Sequence, residues 1–319
     1  MSFNDIKGQD SSLEILRGHM KNARLARGYL FLGPDGVGKA LTAKTLAKAL
    51  NCQENNLDSC DKCPSCLKIE SNQHPDVHIV DSEDADIKIE DIRNLQSQIS
   101  LRPYEARVKV FIIKSAHNLN SASGNAFLKT LEESPGNSVI ILLSEKPNLL
   151  LKTIISRCQA IKFYPAPRLQ LENVLFSEYA LGKELAHFLA YFCEGRLGAA
   201  LRLKAEDILK QKNLIIDEFA LSKRSGIDVL LGQKRSQVRA SLNILASWFR
   251  DMYILKIGSS QEELINLDRK PDLLKNIQRY SFAELDDILA FISQAIYYLE
   301  HNINVKLLQA NLRVELWKA

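Results

Sequence analysis

Residues 33–40 read GPDGVGKA, and Gly33, Gly38 and Lys39 satisfy the spacing G-x-x-x-x-G-K. Glycines at Gly33, Gly36 and Gly38 let backbone N–H groups curl around a phosphate, and the N-terminus of a following helix favours an anion. Lys39 can reach the β- and γ-phosphates of a nucleotide. The hydroxyl that holds magnesium after this lysine is missing, because position 40 is Ala. Thr42 stands two residues further on, on another side of the helix. The loop therefore reads two ways: as a site that binds ATP or ADP without hydrolysing it, or as a relic kept for its turn geometry. Hydrolysis also needs an acidic residue at the end of a second strand to hold the metal. The corresponding run, VFIIKSAHNL, places Lys114 and Ser115 there. A lysine repels magnesium, so two independent metal-handling groups are absent and no intrinsic ATPase activity is expected.

Cys52, Cys60, Cys63 and Cys66 form the spacing C-x7-C-x2-C-x2-C. Four thiolates suit tetrahedral zinc, and close C-x2-C steps let one turn present its sulfurs to a single ion. With four protein ligands no coordination position stays open, so the expected Zn²⁺ site is structural. The competing readings are four unrelated buried thiols or a redox dithiol. Cys193 and Cys158 lie outside the cluster.

These residues need a scaffold, and the chain supplies its pattern. Short apolar runs at 29–32, 77–80, 108–113, 139–143 and 160–163 lack strict alternation and are separated by helical stretches. Such runs suit strands buried on both faces, and the intervening helices make parallel crossovers. The fold class expected is α/β, a doubly wound parallel sheet with the cysteine module inserted. Pro165 and Pro167 punctuate its end. The expected organisation is residues 1–165 as a phosphate-loop domain, 166–208 as a small helical unit, and 209–319 as an all-α domain. Leu285, Ile288, Leu289, Ile292, Ile296, Leu299 and Ile303 recur at three- and four-residue steps, which places them on one helix face. They read as the core of a helical bundle, with part of the surface open to subunit contact.

The 319 residues are 46% hydrophobic and 25% charged, which excludes disorder as the main state. The formal charge is 42 minus 38, or +4, too small to argue for nucleic-acid binding by itself. No apolar run reaches the ~18 residues that span a bilayer. The start, MSFNDIKGQD, lacks a basic stretch followed by an apolar one, so no signal peptide is expected and the expected location is the cytoplasm.

Four stretches together resemble the bacterial DNA polymerase III clamp-loader subunits of the AAA+ class. They are GPDGVGKA, the four-cysteine module, NAFLKTLEESPGN at residues 125–137, and ISRCQAIKF at residues 155–163. The resemblance is detailed over residues 1–165 and rests beyond them on length and helical character. It implies an AAA+ sheet, a helical lid and a C-terminal collar that joins subunits. It also implies that Ser156-Arg157-Cys158 is the family's SRC motif, whose arginine acts in trans on a nucleotide held by the neighbouring subunit. Taken alone, Arg157 reads as a surface or ion-pair arginine. Glu132 and Glu133 read as the end of a helix whose Phe127, Leu128 and Leu131 face the core. Residues 195–202, GRLGAALR, resemble the second sensor helix, with Gly198 where the motor subunits carry arginine.

The resemblance thus implies the subunit type that keeps the SRC arginine and zinc module but has lost the ATPase set. Its implied partners are motor subunits of gamma/tau type and a delta-type subunit, with the sliding clamp and primed DNA met as part of the complex. The alternatives are an ATP-hydrolysing motor subunit and an AAA+ adaptor acting outside replication.

Overall fold

The computed structural model describes residues 1–54, 57–81, 86–133, 137–221, 235–258, 263–301, 304, 305 and 308, with the backbone alone at 219–221 and 300. Ile303 and residues 134–136 of the LEESPGN stretch lie outside the described residues.

The apolar runs form one sheet: β1 (Gly28–Leu32), β2 (Val77–Val80), β3 (Lys109–Ile113), β4 (Ser138–Ser144) and β5 (Gln159–Lys162). The order is β2-β3-β4-β1-β5, and every pairing is parallel. Leu30 sits between Leu142 on β4 and Ala160 on β5, and Ile112 of β3 is opposite Ile141. β3 and β4 are buried along their whole length, which is why residues 110–113 and 139–143 within them are continuously apolar. β5 is an edge strand exposed at three of its four residues, which explains its mixed QAIK sequence.

Side chains alternate between the two faces of the sheet. Tyr29, Phe31, Ile112, Ile141 and Leu143 join Leu13 and Leu16 of α1 (Asp10–Lys21) and Ala43, Leu46 and Ala47 of α2 (Lys39–Asn51) in one core. α3 (Pro64–Glu70) adds Ile69 to it. Leu30, Phe111, Ile113, Ile140 and Leu142 form the opposite core. There they pack with Ile92, Leu95 and Ile99 of α4 (Ile89–Ser100), Phe127 and Leu131 of α5 (Ser121–Glu133) and Ile154 of α6 (Lys152–Ile155). The sheet is therefore doubly wound, as the AAA+ resemblance implies. Its order changes direction at β1, so the crevice beyond the carboxyl end of β1 receives the phosphate-type loop.

Internal contacts gather the chain into two compact units. The first is Met1–Pro167 with Gly195–Ala199; the second is Arg168–Glu194 with Ala200–Ala319. The second is helical among its described residues. It holds α7 (Arg168–Ser177), α8 (Lys183–Phe192), most of α9 (Leu197–Ala205), α10 (Ile208–Ile215), α11 (Arg235–Ile257), α12 (Lys270–Asn276) and α13 (Phe282–Glu300). α13 starts at Ser281 and Glu284, which cap each other's backbone N–H. Leu285, Ile288, Ile292 and Leu299 are buried and Leu289 and Ile296 flank them, so the expected stripe faces inward onto α11. Buried polar groups knit this unit. His187 of α8 bonds Leu264 O at 2.7 Å, and Lys212 of α10 pairs with Asp268 with its ammonium 4.6 Å from the Phe188 ring centroid. Asp251 of α11 accepts from the N–H groups of Ile265 and Asn266 at 3.0 and 2.7 Å.

Candidate functional site

The loop between β1 and α2 has the shape of a phosphate cradle. Gly38 is the N-cap of α2 with φ 105°, and Gly36 has φ 82°. The cradle is nevertheless engaged with the protein itself. Lys39 is buried, and its ammonium donates to Gly33 O at 2.6 Å and Pro34 O at 2.7 Å. Burial pushes the Lys39 ammonium below its ordinary range, against the nearby carboxylates of Asp35 and Glu145. The start of α9 lies against the loop: the Gly198 N–H donates to Gly36 O at 2.8 Å. A Cβ at Gly198 would stand 2.9 Å from Gly36 O, and one at Gly36 would stand 2.7 Å from Ala199 N. The position where the resemblance implies a lost arginine is therefore a backbone-to-backbone contact that a side chain would break.

Ala40, Lys114 and Ser115 are the positions that the sequence sets against magnesium binding. Ala40 is exposed, and Thr42 is fully buried with its hydroxyl donating to Gly38 O at 3.0 Å. Beyond β3, Lys114 pairs with Asp81 at 2.6 Å, and Ser115 adopts a left-handed φ of 47°. Sequence reasoning passed over the polar group at the end of β4. There His117 lies 3.4 Å from the Ser144 hydroxyl and 4.0 Å from Glu145. No spacing signal in the chain links these three.

The four cysteines converge. One sulfur from each of Cys52, Cys60, Cys63 and Cys66 lies within 4.8 Å of all the others, and all four are free thiols. Sulfurs about 2.3 Å from one zinc ion in a tetrahedron lie roughly 3.8 Å apart, so the donor set fits the metal with modest contraction. Cys52 caps the C-terminus of α2, Cys63 is the N-cap of α3, and Cys66 lies in the first turn of α3. The Cys63 N–H points at Cys60 Sγ at 3.3 Å, and the Cys66 N–H at Cys63 Sγ at 3.5 Å. Burial alone would raise the Cys63 thiol, but N–H donors from Gln53 and Cys66 outweigh it and bring it down to about 7. Cys66 is pushed up to about 12 by burial. A bound zinc would stabilise all four thiolates and hold the loop, a structural role without an open position.

Arg157 follows α6 in the turn that enters β5. Its Nε and Nη2 both reach Glu132 Oε1 at 2.6 Å, and its Nη1 donates to Thr153 O at 3.1 Å. It remains 37% exposed, enough for a partner to reach it. Ser156 donates to Thr153 O at 3.0 Å, and burial raises the Cys158 thiol to about 12, so Cys158 is an inert packing residue against Gly28. Glu132 does end its helix, with Phe127 and Leu131 buried and Leu128 half-buried, and it also holds the Arg157 guanidinium. Sequence reading missed that pairing, as it missed Lys48, a buried lysine between the cysteine loop and α3.

The family model described as "DNA polymerase III, delta subunit" matches residues 8–167, and "DNA polymerase III, delta subunit, C terminal" matches residues 206–315. The DNA polymerase III subunit delta' of Bacillus subtilis is 28% identical over 313 residues, covering 95% of this chain and 94% of the relative. The DNA polymerase III subunit gamma/tau of Mycoplasma pneumoniae is 38% identical over 161 residues, covering 50% of this chain and 24% of the relative. The chain thus spans nearly all of the first relative and about a quarter of the second. A solved structure, described as a DNA polymerase III gamma subunit-related protein from Thermotoga maritima, aligns with a TM-score of 0.48 at 16% identity. It covers 96% of this chain and 99% of that one.

Proposed function

Since the chain belongs to the DNA polymerase III delta-subunit family and is a clamp-loader subunit of the delta-prime type, we propose that it is the loader's non-hydrolysing stator. It works with other clamp-loader subunits. In this reading it presents Arg157 to a nucleotide held by an adjacent motor subunit. The guanidinium then offsets charge that develops on the transferring phosphoryl group. Residues 209–319 form the collar that joins the subunits, and the clamp and primed DNA are met within the complex, in the bacterial cytoplasm. Contacts to DNA go to phosphates, with no base readout by this chain.

The observation that carries the reading is the pairing of a disarmed loop with an accessible arginine. Ala40 and Lys114 leave magnesium without its two protein ligands, and Lys39 is committed to Gly33 and Pro34. Arg157 meanwhile keeps a third of its side chain open on a rigid turn. Unhydrolysed ATP or ADP in the loop would require Lys39 to release those carbonyls. The motor alternative needs magnesium ligands from outside the usual positions. Zinc is held by Cys52, Cys60, Cys63 and Cys66 as a structural ion.

The test is ATP turnover by the loader reconstituted with DNA and clamp, using wild-type chain or Arg157→Ala, with the isolated chain as control. Removing a preorganised charged donor costs on the order of 10²-fold at the site it serves. Turnover is expected to fall severalfold in the complex, while the isolated chain turns over no ATP. Hydrolysis by the isolated chain would overturn the silent loop, and unchanged turnover with Arg157→Ala would remove the finger.

A further inference from the structure

Lys48 lies on α2 one turn before Cys52 and is 1% exposed. A charged ammonium is withdrawn from water only where carboxylates compensate it closely. Its Nζ donates to Asp61 Oδ1 at 2.8 Å and also pairs with Glu70. Burial would lower the Lys48 ammonium, but Asp61 and Glu70 outweigh burial and raise it, so it stays charged.

The partners occupy particular places in the cysteine module. Asp61 directly follows Cys60 and has φ 56°, a left-handed conformation that aspartate adopts more readily than most non-glycine residues. Its backbone N–H is directed at the Cys66 sulfur. Glu70 lies one turn after Cys66 on α3. The sulfurs come from three segments: Cys52 from the end of α2, Cys60 from the loop, and Cys63 and Cys66 from the start of α3. Lys48 is bonded to the loop and to α3 while rooted in α2, so one ammonium ties together all three segments that carry sulfurs.

We propose that Lys48 is the positioning residue of the metal site, holding the Cys60 loop and α3 against the end of α2 so that four sulfurs converge on one zinc ion. The inference rests on the zinc reading of the cysteine cluster and assigns a role beyond the four ligands. Four thiolates around Zn²⁺ leave a net negative charge, and a neighbouring ammonium offsets it. Outer-shell groups that orient metal ligands typically change affinity by about 10- to 100-fold when removed. Lys44, on the same helix, is the natural control. It pairs with Glu70 at 3.6 Å and donates to Glu70 O at 2.6 Å, both contacts on α3 and not on the cysteine loop.

The experiment uses the full chain, with zinc alone as the probe in competition with a chromogenic chelator. Unfolding midpoints are measured for the zinc-loaded and zinc-free forms. Lys48→Met keeps the stem length and removes the charge. It is expected to weaken zinc binding about tenfold or more, with Lys48→Arg recovering most of the loss and Lys44→Met staying within about twofold of wild type. The midpoint of the zinc-loaded protein should drop more than that of the zinc-free protein. Wild-type zinc affinity in Lys48→Met, with equal losses of midpoint in both forms, would reduce Lys48 to an ordinary structural ion pair and overturn the proposal. If Lys48→Met does not fold, Asp61→Asn cuts the loop arm, with N-terminal acetylation as the control for the pair between Asp61 and the amino terminus, and carries the same two outcomes. A wild-type chain that binds no zinc would instead fail the zinc reading beneath it.

Discussion

Asp76 keeps a charge in the interior of the first unit, and the reason is local. It is 1% exposed, and its carboxylate accepts N–H bonds from Tyr104, Glu105 and Ala106 at 2.8–2.9 Å, with Lys109 at 3.9 Å. Burial would raise this carboxyl, but the three N–H groups and Lys109 outweigh it and hold it below the usual carboxylate range. The bonds fix the chain where it turns into β3. Asp76→Asn leaves one acceptor oxygen for three donors and is expected to cost about 2–4 kcal/mol at pH 7. A carboxyl with a lowered folded pKa stabilises the fold fully above its unfolded value of about 4. That contribution fades as pH falls through the lower folded value. The difference in urea midpoint between wild type and Asp76→Asn should therefore shrink as pH drops below about 4. A difference constant from pH 7 to pH 3 would mean that the charge is not what holds this turn. Arg157 is held in one place in the same way, by Glu132 Oε1 and Thr153 O.

At the scale of elements, the phosphate-type loop and α9 restrain each other. Gly36 has φ 82°, and a Cβ there would meet Ala199 N at 2.7 Å. Gly36→Ala combines a left-handed penalty with a clash against backbone that has no flexible end to yield. The expected loss is about 2–4 kcal/mol in urea unfolding. A loss below about 1 kcal/mol would show that α9 lifts readily from the loop. The contact also bears on the phosphate-type loop. A side chain at Gly198 would need the very space in which Gly36 O and Gly198 N–H are bonded. α2 is a second shared element, with the loop at its start and Cys52 at its end. Lys48 ties that helix to the cysteine loop and to α3.

At the scale of the molecule, metal binding and folding are linked. An ion that binds only the folded form stabilises it by RT ln(1 + [L]/Kd). The four clustered cysteines lie in the first unit, whereas Trp248 is buried in the second. Tryptophan emission thus reports on the second unit and far-UV circular dichroism on the whole chain. Stripping zinc with a chelator should lower the circular-dichroism midpoint by several degrees, and the tryptophan midpoint should move far less. Equal shifts would mean that the metal supports both units.

Read from the chain alone, the α/β class followed from apolar runs too continuous for a half-exposed sheet, and the cysteine spacing marked a tetrahedral donor set. Ala40, Lys114 and Ser115 set the expectation of a loop without magnesium ligands by residue type. These are properties of short windows, where side-chain chemistry and period carry the information. Only the tertiary structure decided the order β2-β3-β4-β1-β5, the hold of Glu132 on Arg157, the Asp76 nest, and Lys48 as the tie among three segments. It alone showed that Lys39 has turned to its own loop and that Gly198 is pressed on Gly36. Each of these joins groups brought together by packing of the sheet and helices. A lysine on α2 reads as a polar helix residue until the fold removes its water and leaves two carboxylates as its partners.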